Sequence, residues 1–249
     1  MTRLNDLPSA TIASLPSTRT AALPSATIAS LWKMLKFVSD PPALEPEEMQ
    51  RLVAILEAEA RAREVKHIRS LLQRSGIKRI KRLEDFDWKF NPKLPRDKFM
   101  AFRNSPWVQN AQNLLLIGPS GVGKSHLASG LCYETIQQGV ATAFISCFEL
   151  LDKLHRARHK HTLIQYYSTV KVFCLDELGY VFPTQEEAND IFQIISKRSE
   201  IGSTIVTTNL VPSAWGKIFD AATATAILDR LNLKGTFLTL EGDSYRGRK

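Results

Sequence analysis

Eight residues near the middle of the chain, Gly118-Pro119-Ser120-Gly121-Val122-Gly123-Lys124-Ser125, limit the available folds more than anything else in the sequence. They read GxxxxGKS, with an apolar run (Leu114 to Ile117) before them and a helix-forming run from His126 after them. That is a strand, a phosphate-wrapping loop and a helix in the order such a loop needs. Glycines let backbone amides converge on a β-phosphate, the lysine neutralises β- and γ-phosphate charge, and the hydroxyl of Ser125 can take a Mg²⁺ position. The rest of the chain repeats the alternation. Strands are predicted at Leu114 to Ile117, Ala141 to Ser146, Val170 to Leu175, Thr204 to Thr208 and Thr236 to Leu240. Helices are predicted at about Gly123 to Gln138, Phe148 to Arg158, His161 to Thr169, Gln185 to Ile201, and Ala214 to Leu233 with a break. The strands are short and apolar on both faces, as in a parallel sheet covered by helices on both sides. An α/β fold with a five-stranded parallel sheet follows, and function in such a sheet lies at the carboxyl ends of its strands.

Three further strand or helix ends carry candidate chemistry. Val172 to Leu175 runs into Asp176 and Glu177, where one acid can hold Mg²⁺ and its neighbour can polarise the water attacking a γ-phosphate. Asn209, after Thr207 and Thr208, would set a neutral amide beside the same phosphate; Thr/Asn strand ends are also ordinary caps. Arg230, in Ile227-Leu228-Asp229-Arg230-Leu231, reads either as a surface ion pair or as an arginine finger for a neighbouring subunit. Lys124, Asp176, Glu177, Asn209 and Arg230 are thus the catalytic candidates. Gly118 to His126 is the nucleotide loop, and Ser125 with Asp176 is the Mg²⁺ pair.

The formal charge of +8 is uneven. Residues 47–112 hold most of the surplus, and Arg61, Arg63, Lys66, Arg69, Arg74, Lys78, Arg79, Lys81 and Arg82 face a single acid, Glu64, in that stretch. Lys153, Arg156, Arg158 and Lys160 form a second basic element, with no acid before Asp176. Two such patches beside a nucleotide site favour DNA as the polyanion over a merely solvated face. Arg69, Arg74, Lys78, Arg79, Lys81, Arg82 and the four residues of the second element are the candidate contacts. His155, His159 and His161 lie among them without a nearby thiol or carboxylate and read as part of that polar face.

Three regions are expected. Residues 1–43 read as a low-complexity, disordered tail in which LPSATIASL occurs twice (Leu7 to Leu15, Leu23 to Leu31), with a short helix near Leu31 to Val38. Residues 44–112 hold a long amphipathic helix opened by Pro46, Glu47 and Glu48. Its apolar positions are Met49, Leu52, Val53, Leu56, Ala60, Val65, Ile68, Leu71 and Leu72, and an aromatic connector follows that should pack onto the ATPase domain, 113–249. Cys132, Cys147 and Cys174 suggest neither disulfides nor a zinc site, and no apolar run is long enough to span a bilayer, so a cytoplasmic, DNA-associated bacterial protein is expected.

In order, the segments GPSGVGKSH, FCLDELGY, IVTTN, SAWG, LDRL and GDSYRGRK resemble the IstB family of transposition helper ATPases, in the AAA+ group and related to DnaC-type helicase loaders. The resemblance runs from about Leu44 to Lys249. It implies a P-loop AAA+ fold, ATP and Mg²⁺ at Lys124, Ser125, Asp176 and Glu177, Asn209 as first sensor and Arg230 as a finger acting in trans. It also implies a homo-oligomer, ring or filament, that bends double-stranded DNA and recruits an IstA-type transposase. Nine residues follow the last strand-like run, leaving no lid domain, so Arg246 and Arg248 are the candidates for a second sensor. A helicase loader acting on single strands shares these motifs. A small-molecule P-loop kinase would need an arginine-rich lid, and a non-hydrolysing module would not need both Lys124 and Glu177.

Overall fold

The computed structural model describes residues 28–245. Helix α1 (Ile28–Met34) leads to the long α2 (Pro46–Arg74), then α3 (Arg96–Asn104) closes the N-terminal part. The α/β unit follows as β1 (Asn113–Ile117), α4 (Lys124–Gln137), β2 (Thr142–Ser146), α5 (Cys147–Arg156), α6 (Lys160–Thr169), β3 (Val172–Leu178), α7 (Gln185–Arg198) and β4 (Ser203–Thr208). A 3-10 turn (Pro212–Lys217), α8 (Ala221–Asn232) and β5 (Gly235–Thr239) complete it. All the pairings are parallel, in the order β2-β3-β4-β1-β5.

Alternation along the strands splits the core into two layers. Leu115, Ile117, Phe173, Leu175 and Val206 face α5, α6, α7 and α8. Leu114, Leu116, Val172, Cys174 and Ile205 face α4, the end of α2 and the connector. With both faces covered there is no polar side to a strand, hence the unbroken burial of β1 and β4. The connector packs as its composition suggests: Phe99, Phe102 and Trp107 are buried, and Arg103 makes a bidentate ion pair with Glu134 of α4. All three cysteines are buried and free. Among the described residues no helix is long and apolar enough to cross a membrane.

Helix α2 begins where the sequence places it, with Pro46 in its first turn and Glu48 accepting a hydrogen bond from the Glu45 amide (3.2 Å). It stops at Ser75, whose hydroxyl donates to the Leu72 carbonyl (2.7 Å), and Gly76 turns the chain at φ +82. That turn docks on an edge strand: the Phe144 amide of β2 donates to the Ser75 carbonyl at 2.6 Å, and a Cβ at Gly76 would meet the Phe144 oxygen at 2.3 Å. Val65, read as part of the core-facing stripe, is instead exposed: it falls along α2 between the stretch that packs on Leu31 and Leu35 and the stretch from Ile68 that packs on the α/β unit, and belongs to neither cluster.

Other sequence expectations shift. The short N-terminal helix is Ile28–Met34 rather than Leu31 to Val38, and it is packed: Leu31 and Leu35 are buried against Leu56 and Ala60. Few apolar residues suffice there because α2 supplies the other half of the cluster. Strand β3 runs on through both carboxylates to Leu178. The predicted break before α8 is the Pro212–Lys217 turn, where Trp215 is fully buried. The first repeat copy, Arg246 and Arg248 lie outside the described residues.

One buried cation ties the sheet's amino edge together. Arg198, at the end of α7, donates to the carbonyls of Tyr167, Val170 and Ser203 at 2.6 to 2.7 Å and to the Thr204 hydroxyl at 3.1 Å. Burial pushes its pKa down to about 9, which leaves it charged at neutral pH, held by acceptors on three segments.

Candidate nucleotide-binding site

β1, β4 and β3 are neighbours in the sheet, so their carboxyl ends bring the three sequence motifs together. After Ile117 the chain turns through Gly118 to Gly123 into α4. Gly121 and Gly123 have φ of +85 and +104. A Cβ at Gly121 would meet the Ser244 hydroxyl at 2.0 Å, and one at Gly123 the Phe86 ring at 2.5 Å, so both positions require glycine twice over. The Lys124 ammonium is buried and donates to the Gly118 and Pro119 carbonyls, each at 2.7 Å. It is thereby held over the loop whose amides would receive the phosphates.

Ser125 and Asp176 meet directly, the Ser125 hydroxyl donating to Asp176 Oδ1 at 2.9 Å. Two neighbouring positions of an octahedron with metal–oxygen distances of about 2.05 Å lie about 2.9 Å apart, so this pair fits a Mg²⁺ shell. Among the described residues no cluster of three or more His, Cys, Asp or Glu side chains could hold a metal alone. That suits an ion completed by phosphate oxygens and water rather than by a protein cage.

Strand β3 is irregular here: its register with β4 shifts between Leu175 and Leu178. The shift places Glu177 at φ +61, a left-handed conformation that costs a non-glycine residue about 1–2 kcal/mol. Asp176 stays buried while Glu177 projects outward. Thr207 fixes the arrangement. Its hydroxyl donates to Asp176 Oδ1 (2.5 Å) and accepts from the Glu177 amide (2.9 Å). Sequence reading passed over Thr207 as part of a strand end; its signal was its place one residue from the end of β4, the strand beside the acids. Asn209 reaches the same turn, its side-chain oxygen 3.0 Å from where a Gly179 Cβ would stand. The bulge thus turns Glu177 outward at the carboxyl end of β3, with Asn209 beside the turn at Gly179 that follows.

The connector closes the outer flank of the loop. Phe86 packs edge-on to His126 (5.2 Å between centroids), and His126 Nε2 lies 2.9 Å from the Arg82 carbonyl. Burial holds the His126 pKa below its ordinary value, and the Arg82 carbonyl opposes this only in part.

Arg230 lies elsewhere. It is in the last turn of α8, and Asn113 at the start of β1 donates its amide to the carbonyls of Arg230, Leu231 and Leu233 at 3.2 to 3.3 Å. Five residues of strand separate Asn113 from Gly118, about 16 Å. Arg230 is therefore at the opposite end of the sheet from its own phosphate loop.

The basic candidates divide into five places. Arg74, Lys153 and Arg156 converge on a shallow groove of ≈ 550 Å³ with Tyr166 and Tyr167, joining the two elements that were separate in sequence. Arg156 pairs with Asp152 (2.8 Å) yet stays largely exposed, and Arg158 is exposed in the loop beyond. Lys78, Arg79 and Lys81 line a cleft of ≈ 310 Å³ with Ser125 and Asp176, and Lys78 pairs with Glu149. Arg82 lines a different pocket with Tyr133 and Glu134, and Arg69 lies on another face of α2 from Arg74. Lys160, grouped with the DNA-facing cations by sequence, is engaged internally: it bridges α6 to Glu186 (2.7 Å) and Asp190 (2.6 Å) of α7. Those acids follow 26 residues or more later, so no local spacing announces the pairing.

Comparison with known proteins agrees with this geometry. The family model described as IstB-like ATP binding protein matches residues 26–249. The ATP-binding protein of insertion sequence IS21 from Pseudomonas aeruginosa is 35% identical over 199 residues, 78% of this chain and 75% of that one. Its counterpart in IS232 from Bacillus thuringiensis subsp. berliner is 33% identical over 202 residues, 80% of this chain and 81% of that one. Among solved structures, DnaI superposes with a TM-score of 0.56 at 21% identity, covering 66% of this chain and 89% of that one. AMPPCP-bound DnaA from Aquifex aeolicus gives 0.56 at 16% identity, covering 68% and 52%. These two likenesses establish the fold, a P-loop AAA+ arrangement. With its phosphate loop, paired acids and sheet order in place, the chain belongs to the IstB-like ATP-binding family found in IS21-type insertion sequences.

Proposed function

We propose that this protein is an ATP-hydrolysing transposition helper whose active site is completed by a neighbouring copy, and that the ATP-bound assembly holds and bends duplex DNA for an IstA-type transposase. The observation that carries the reading is the position of Arg230 at the far end of β1 from Gly118. This placement takes Arg230 away from its own phosphate loop and supports a role toward a neighbour's.

Within one site the residues divide the work. The loop amides and Lys124 hold the β- and γ-phosphates; Ser125 and Asp176 would hold Mg²⁺, which supplies charge neutralisation at the phosphate oxygens. Glu177 accepts a proton from the water that attacks the γ-phosphorus, Asn209 orients that water, and the bond to the β-phosphate oxygen breaks to leave ADP and phosphate. Arg230 of the neighbour stabilises the charge on the transferring group, a contribution of ~10³-fold or more where such a finger operates.

Duplex DNA is assigned to the groove of Arg74, Lys153 and Arg156 with Arg158 beside it, and Lys78, Arg79 and Lys81 line the cleft they share with Ser125 and Asp176. Phosphate contacts of this kind fix position without reading bases, which suits an element with many targets. The test is the mass of complexes formed on duplex and single-stranded DNA of equal length, with ATP·Mg²⁺ or ADP, for the wild type and a Lys153→Glu, Arg156→Glu variant. ATP-dependent multimers on duplex, lost in the variant while ATP binding persists, are expected. Their affinity should fall with salt at about −0.9 per phosphate neutralised on a logarithmic plot. Small complexes preferring single strands would replace this reading with that of a helicase loader.

A further inference from the structure

Helix α5 reaches from the basic groove to the metal pair. Its outer face carries Glu149, Lys153 and Arg156 at steps of four and three residues, within about 60° of helix circumference. Lys153 and Arg156 line the groove with Arg74, whereas Glu149, one turn before Lys153, lines the cleft that contains Ser125 and Asp176. The helix starts beside those two residues. Ser146, which stands in register with Asp176, caps it by accepting from the Glu149 amide at 3.2 Å.

Glu149 therefore sets an acid in line with two cations, where a nucleic-acid backbone following the row would be repelled. Lys78 of the connector answers it with an ion pair. The backbone at Lys78 is fixed, because Ile77 beside it is buried and the Phe144 amide holds the Ser75 carbonyl of the same turn. The side chains are not: Lys78 is 77% and Glu149 37% exposed. A pair so exposed is weak, and a DNA phosphate is able to take the ammonium from the carboxylate.

We propose that the Lys78–Glu149 ion pair is a gate through which duplex DNA strengthens the metal site. Without DNA, Lys78 cancels the charge of Glu149 in the cleft of Ser125 and Asp176. When a DNA phosphate beyond Lys153 takes Lys78, the Glu149 carboxylate is left unbalanced there, and the cleft holds a divalent cation more tightly. The gate rests on the assignment of duplex DNA to the groove of Arg74, Lys153 and Arg156, and gives that groove a regulatory role. Coupling of this kind is reciprocal, so a filled metal site strengthens DNA binding by the same factor. One unit charge acting on a divalent cation across a half-open cleft changes its affinity by about three- to tenfold.

The experiment uses the full-length protein and a fluorescent ATP analogue, titrated with Mg²⁺ at free concentrations fixed by dialysis, with and without saturating duplex. Duplex should lower the Mg²⁺ midpoint of nucleotide binding about three- to tenfold in the wild type. Lys78→Met should show the low midpoint already without DNA and no further change with it. Its affinity for duplex should fall, with a salt slope shallower by about 0.9. Glu149→Gln should do the opposite, raising the midpoint and binding duplex more tightly, and Lys78→Arg should behave as the wild type. The opposite signs carry the test, since a bond that merely fastened the connector to α5 would be lost in Lys78→Met and Glu149→Gln alike and move both the same way. Variants that shift in the same direction overturn the gate. A wild type that binds duplex with an unchanged Mg²⁺ midpoint overturns the gate and leaves the DNA assignment standing; one that binds no duplex overturns both.

Discussion

Replacing Thr207 with valine tests whether one buried hydroxyl holds the paired acids Asp176 and Glu177 in place. The side chains are nearly the same shape, so the fold has no steric reason to change. Two hydrogen bonds disappear: the donation to Asp176 Oδ1 at 2.5 Å and the acceptance from the Glu177 amide at 2.9 Å. A bond to a charged acceptor contributes about 1.5–3 kcal/mol, and a buried amide left without a partner costs about 1–3 kcal/mol. Because both pass through one oxygen they do not add fully, and the better burial of valine offsets part, so a loss of about 2–4 kcal/mol is expected. The consequence for hydrolysis is larger than for binding. Glu177 keeps its left-handed φ only while the bulge is braced, so its carboxylate should lose its aim and turnover should fall ~10- to 100-fold, about 1.4–2.8 kcal/mol of barrier. The phosphate loop is untouched, and ATP affinity should stay within about threefold. Urea unfolding, nucleotide titration and phosphate release together decide the matter. Stability within about 0.5 kcal/mol of wild type would refute the bracing argument, and ATP affinity falling as far as turnover would show that Thr207 supports the metal pair rather than Glu177.

Two other perturbations probe the same region. Glu177→Gln should bind ATP normally but hydrolyse it at least ~100-fold more slowly, accumulating ATP-bound multimers on duplex DNA; an unchanged rate of phosphate release would remove Glu177 from the mechanism. His126 is held neutral by burial, so its folded pKa lies below the unfolded value of about 6.5, and the unfolded chain binds the proton more readily. Its contribution to stability is therefore present above about pH 6.5 and is lost as pH falls from there through the folded pKa. Unfolding free energies at pH 7.5 and 5.5 should differ less for His126→Asn than for the wild type, and equal differences would mean that this ring does not titrate as described.

Much of this was legible in the chain, and the parts that were not share a cause. The phosphate loop, the five strands and the helices between them follow from short local signals: glycines at fixed spacing, apolar runs of strand length and capped amphipathic segments. The paired acids and Asn209 are legible as candidates because each stands at the end of a strand. Thr207 was missed because its role depends on which strand lies next to β4, and adjacency in a sheet is not written in local spacing. The ion pairs of Lys160 were not legible for the same reason, since its partners on α7 are distant in sequence. Conversely, Arg74 and Lys153 looked like separate patches and meet only because the turn at Gly76 docks on β2. Val65 shows the limit of counting steps of three and four: the spacing marks a stripe, and does not say which stretches of it are covered.

The central claim is that each nucleotide site is finished by the Arg230 of another copy. Lys124→Ala and Arg230→Ala variants, each assayed alone and then mixed in equal amounts on duplex DNA, test it most directly. Neither variant alone should release phosphate above a few per cent of the wild-type rate. In the mixture an intact loop can face an intact arginine, and about a quarter of the contacts should regain full activity. A mixture as inactive as its components, although the two variants are shown to assemble together, would contradict the account. So would an Arg230→Ala protein that hydrolyses ATP at the wild-type rate.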